Sequence, residues 1–144
     1  MKAYEALETE EERTKQFIKE YLDAVNSPDW KSKTVKYLRN SEGFLEEHSA
    51  FRKSFPDYRS TIQYLAVDGN KGMVWLNIEA TYAETFAFEN SSYGDGLLRN
   101  VEAKNQELSW EETWYFIVVD GKFGEKFDIL KDNYAVLKGL GAIE

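Results

Sequence analysis

At 144 residues, 42% of them hydrophobic and 15% aromatic, the chain carries enough apolar surface to offset the entropy lost on ordering, and one domain over 1–144 is expected. Its formal charge of −8, from 26 acidic and 18 basic residues, repels phosphate backbones and anionic head groups, so neither nucleic acid nor a membrane is an expected partner. The absence of cysteine and the single histidine exclude disulfides and thiolate chemistry and predict no protein-built metal centre; the Glu-rich start, lacking an apolar stretch of signal or spanning length, predicts a cytoplasmic protein.

Thr9-Glu10-Glu11-Glu12 fits the capping-box pattern and predicts a helix starting there. Phe17, Ile18, Tyr21, Leu22 and Val25 then recur at helical spacing on one face, and Asn26-Ser27-Pro28 stops the run. A second, shorter helix is expected over Trp30 to Leu38. The third has Phe44, Leu45, His48, Phe51 and Phe55 as its stripe and ends before Pro56, which cannot continue the ladder.

From there the period becomes twofold. Ser60 to Val67 and Met73 to Tyr82 read as antiparallel strands about the turn-rich Asp68-Gly69-Asn70-Lys71-Gly72. Residues 87–107 are polar and contain glycine, which predicts a long connection. WEETWYFIVVDGKFGEKFD, 110–128, is a hairpin about Asp120-Gly121, and its register depends on the turn. Three loop residues set Glu112 opposite Asp128, whereas two set Thr113 there. A last short helix is expected, capped by Asp132 and closed by Gly139. Helices followed by a strand meander predict an α+β fold with the helices on one face of an antiparallel sheet. A parallel nucleotide-binding sheet is excluded, because neither GxGxxG nor GxxxxGK[ST] occurs.

The order of these elements, with Ser54-Phe55-Pro56-Asp57-Tyr58, Ala80-Thr81-Tyr82-Ala83-Glu84-Thr85-Phe86, Val119-Asp120-Gly121-Lys122 and Phe127-Asp128, resembles the SnoaL-like polyketide cyclases of the nuclear transport factor 2-like superfamily. The resemblance runs over roughly residues 10 to 141. It implies a cone-shaped curved antiparallel sheet packed against N-terminal helices around an apolar cavity, a homodimer formed through the outer sheet face, and aldol ring closure without metal or cofactor. It also implies that Asp128, in the place of the family's Trp-Asp pair, is the acid/base catalyst. Two imidazoles of the cyclases are replaced, one by Trp114 and one by Tyr82.

The chemistry asks for a base held against a substrate carbonyl, best with a pKa near working pH; a carboxylate starts at about 4, and burial among Phe127, Trp114 and Phe116 would raise it. Glu112, if adjacent, would push the same way. Tyr82 can donate a hydrogen bond to a substrate oxygen, and His48 can line the site or serve as a core residue. The structural alternative for Asp128 is the polar end of a strand or a turn cap. Three functions follow: a cofactor-independent cyclase, isomerase or lyase; a noncatalytic carrier of a small apolar or aromatic molecule; and a dimerisation module with a filled interior.

Overall fold

A computed structural model describes residues 2–86, 98 and 100–143. Among these lie α1 (Lys2–Asn26), α2 (Trp30–Thr34) continued by a 3-10 turn (Val35–Tyr37), α3 (Ser41–Ser54), β1 (Arg59–Asp68), β2 (Lys71–Tyr82), β3 (Gln106–Val119), β4 (Lys122–Lys131) and α4 (Asn133–Leu140). The strands form one four-stranded antiparallel sheet in the order β1-β2-β3-β4, so the fold is α+β as expected. The connection expected over 87–107 falls, at 87–97 and 99, outside the described residues, and β3 already begins at Gln106. No described helix is long and apolar enough to cross a membrane.

The chain divides into two compact units. The first takes Met1–Arg39, Ile62–Leu76 and Glu112–Leu130; the second takes Asn40–Thr61, Asn77–Glu111 and Lys131–Glu144.

In the first unit the predicted stripe of α1 is the buried one: Phe17, Ile18, Tyr21, Leu22 and Val25 are all in the core. Each such side chain contributes about 1.5–3 kcal/mol by leaving water. Their rings meet others edge to face, Phe17 on Phe123 at 4.9 Å, Tyr21 on Phe123 at 4.7 Å and Tyr21 on Tyr37 at 5.8 Å, the arrangement the ring quadrupole favours. The helix nevertheless begins at Lys2, not at Thr9. Lys2-Ala3-Tyr4-Glu5-Ala6-Leu7 contains no breaker, so the helix runs through Thr9, whose carbonyl accepts the Arg13 Nε–H at 3.2 Å.

In the second unit α3 ends ahead of Pro56, with the Phe55 N–H still donating to the Phe51 carbonyl at 2.9 Å. Asp57 then ties the loop to β2: its two carboxylate oxygens accept the Thr81 N–H at 2.7 Å and the Thr81 hydroxyl at 2.6 Å. Asp132 caps α4 as predicted, accepting the Ala135 N–H at 3.1 Å. Gly139 does not close that helix. It lies inside it, where the Leu108 side chain occupies the space a Cβ would need. Closure falls to Gly141 at φ 77°, with Gly141 N–H donating to the Lys138 carbonyl at 3.1 Å and Ala142 N–H to the Leu137 carbonyl at 3.0 Å.

Candidate functional site

The β3–β4 hairpin carries most of the candidate residues, and its turn decides how they face one another. Asp120 and Gly121 both have positive φ, 53° and 73°. Two such residues make a two-residue loop whose twist matches that of the strands. Val119 therefore pairs with Lys122 and Ile117 with Gly124; a Cβ on Gly124 would lie 3.7 Å from that of Ile117, and the Trp114 and Phe127 rings sit 5.4 Å apart. Beyond that pair the count slips: the Asp132 N–H donates to the Glu111 carbonyl at 3.0 Å, where an unbroken register would give Ser109. Glu112 and Asp128 are not cross-strand partners, so the like-charge repulsion considered for them does not arise from pairing.

Side-chain alternation sorts the hairpin into two faces. Trp114 and Phe116 are buried positions of β3 and turn toward the aromatic core of the first unit: Trp114 meets Tyr21 at 6.2 Å, and the Phe116 ring lies over Gly72 and meets Phe123 at 5.9 Å. Phe127 joins them through Phe123 at 5.2 Å. Asp128 is the neighbour of Phe127 along β4 and is exposed, as are Ile129 and Leu130. The aromatic surroundings expected for Asp128 thus belong to Phe127. Asp128, Ile129 and Leu130 are exposed in succession, so the in-and-out alternation ends at Phe127 and this end of β4 faces water.

Glu112 follows the other alternation. It stands in line with Leu108, Trp110, Trp114 and Phe116, every one of them buried, and is itself half-buried. Its Oε1 accepts the Trp114 indole N–H at 3.0 Å. That bond fixes the carboxylate against the ring two residues on, and a charged acceptor makes it stronger than a neutral one. The period-two pattern of β3 contains this signal, since positions 112, 114 and 116 must share a face whatever the hairpin register.

Tyr82 and His48 lie in the second unit. Tyr82 is 0% exposed, and its hydroxyl donates to the Val101 carbonyl at 2.7 Å while accepting the Phe86 N–H at 3.0 Å. The proton expected for a substrate is thereby used to tie both ends of the connection after β2. His48 is stacked on Phe44 at 5.1 Å, lies 5.8 Å from Phe51 and meets the Tyr58 ring edge-on at 5.8 Å. Burial, with the Arg52 guanidinium adding to it, holds the imidazole down at about 3, so it is neutral at physiological pH. Arg52, half-buried over the Tyr58 ring at 5.4 Å, is itself lowered by desolvation. In the first unit burial likewise pushes the Tyr21 phenol above its usual range. Among the described residues no group of His, Cys, Asp and Glu side chains could hold a metal ion.

The chain matches no protein-family model and no curated protein. Solved structures do match. AclR from Streptomyces galilaeus, which bears a provisional hydroxylase name, superposes with a TM-score of 0.75 at 18% identity over 93% of this chain and 99% of its own. A SnoaL-like polyketide cyclase from Agrobacterium tumefaciens gives 0.68 at 14% identity, covering 89% of this chain and 98% of that one. The fold is that of the SnoaL-like polyketide cyclases. TsrD from Streptomyces laurentii shares it, at a TM-score of 0.71 and 17% identity over 91% of this chain and 96% of its own. A SnoaL-like fold at such identities establishes architecture, and the reaction has to be argued from the side chains.

Proposed function

We propose that this chain binds a small apolar or aromatic molecule at the aromatic face of the β3–β4 hairpin, needs no metal or organic cofactor, and works as a homodimer. The supporting observation is Glu112, a half-buried carboxylate in a row of β3 otherwise taken by buried apolar side chains. Withdrawing a carboxylate from water costs free energy that an apolar residue at the same position would not. The Trp114 indole N–H at 3.0 Å offsets part of that cost. The cyclase names among the structural neighbours fit a small-molecule ligand of this kind.

The enzymatic form of the reading is a cofactor-independent cyclase, isomerase or lyase. Asp128 stands where the resemblance puts the acid/base, and if a turnover is found, Asp128→Asn should abolish it while retaining binding. Binding itself is tested first with N-phenyl-1-naphthylamine, a neutral aromatic dye whose emission rises when it leaves water. The expected result is a saturable rise with one dye per chain. A linear, unsaturated response would reject the reading.

A further inference from the structure

We infer that the groove between α1 and α2 binds a small zwitterion whose ammonium and carboxylate stand at opposite ends of a short chain, the chemistry of an ω-amino acid. The groove shares no lining residue with the β3–β4 hairpin, so the inference is independent of the reading above.

Sequence spacing sets its two walls. Glu20 and Asp23, three apart on α1, share one face of that helix; Lys33 and Lys36 are likewise three apart, across α2 and the 3-10 turn. Between them lies an open volume of about 490 Å³, floored by Ala24 and Tyr37 and within the range of about 300–1,000 Å³ usual for small-molecule sites. All four charged side chains are exposed, and among the described residues none of them is in an ion pair. No Glu20 or Asp23 oxygen therefore comes within 4.0 Å of a Lys33 or Lys36 ammonium. An ion of one sign satisfies one wall only; a molecule carrying both signs reaches both. Each wall keeps capacity for it. Glu20 Oε1 accepts the Gln16 side-chain amide at 2.9 Å and Lys33 Nζ donates to the Ser27 hydroxyl at 3.1 Å, but a carboxylate or an ammonium serves several partners at once. The Lys36 ammonium lies 5.1 Å from the centre of the Tyr37 ring, over the floor of the groove. Its stretch of chain is held in place by Lys122, whose Nζ donates to the Lys36 and Leu38 carbonyls at 3.3 Å each.

Three probes of one chain length separate the walls: 6-aminohexanoate, hexylammonium and hexanoate, titrated into the full chain at pH 7 and low salt and followed by the amide NMR shifts of Ala24 and Tyr37. The zwitterion should bind about fivefold more tightly than either singly charged probe, the most that a solvent-exposed ion pair commonly adds. Glu20→Gln combined with Asp23→Asn should lower the zwitterion to the affinity of hexanoate and leave hexanoate within about twofold. Lys33→Met combined with Lys36→Met should lower it to the affinity of hexylammonium and leave that probe within about twofold. In each variant the probe that still binds reports an intact groove. Hexylammonium binding as tightly as the zwitterion in the parent, the result if the net charge of −8 acted alone, overturns the inference. So does a preference for the zwitterion that survives either double substitution. Amides of Ala24 and Tyr37 that show no saturable shift with 6-aminohexanoate overturn it as well, leaving the groove to solvent.

Discussion

His48 illustrates how a single buried side chain couples stability to pH. In the unfolded chain the imidazole takes up a proton below about 6.5, whereas within the stack of Phe44, Phe51 and Tyr58 it does so only near about 3. As pH falls from 8 to 5 the unfolded state alone gains the proton, so the stabilising effect present above 6.5 is progressively lost, by up to about 2 kcal/mol at pH 5. His48→Phe keeps a ring in the stack and should flatten this dependence. Urea unfolding at pH 8 and pH 5 measures it, and equal parent stability at both values would contradict the account. At the same scale, Tyr82 was readable as a strand tyrosine, but the commitment of its hydroxyl to Val101 and Phe86 was not. Both partners lie beyond the strand, at positions with no periodic pattern to reveal them.

At the scale of elements, the apolar stripes of α1 and α3 and the β3–β4 hairpin were legible, because period and turn chemistry are local properties. The start of α1 was not, since a threonine followed by glutamates occurs within a helix as readily as at its cap. The sequence places the end of the last helix at Gly139, which suits a helix end locally; in the fold Gly139 packs on Leu108 inside the helix, and Gly141 at φ 77° closes it. They should fail differently on substitution. Gly141→Ala places a side chain at φ 77° and should cost about 1–2 kcal/mol. Gly139→Ala meets Leu108 and should cost about 1–3 kcal/mol through overpacking, relieved by a further Leu108→Ala. Thermal unfolding of the three variants checks this, and a Gly139→Ala protein as stable as the parent would reject the packing role. The hairpin register turned on whether Asp120 adopts positive φ, which no pattern of hydrophobicity reports. That dihedral gives the two-residue loop that pairs Val119 with Lys122, and so removes the register that would have set Glu112 opposite Asp128.

For the whole molecule, the architecture was recoverable from element order, while the site was only partly so, since exposure of Asp128 and half-burial of Glu112 follow from which face each strand turns to the core. The proposed homodimer belongs to this scale. Trp75 and Tyr115 are 41% and 44% exposed on the sides of β2 and β3 turned away from Val74, Leu76, Trp114 and Phe116, and aromatic surface of this kind is characteristic of interfaces. Sedimentation equilibrium should give about twice the 16.8 kDa chain mass, falling to the monomer value on Trp75→Glu combined with Tyr115→Glu; a parent that sediments as a monomer contradicts the proposal. The most direct measurement is a crystal structure of the chain grown with N-phenyl-1-naphthylamine. The account predicts one dye molecule per chain at the β3–β4 hairpin. A dye bound elsewhere, or a hairpin with no dye, would contradict it.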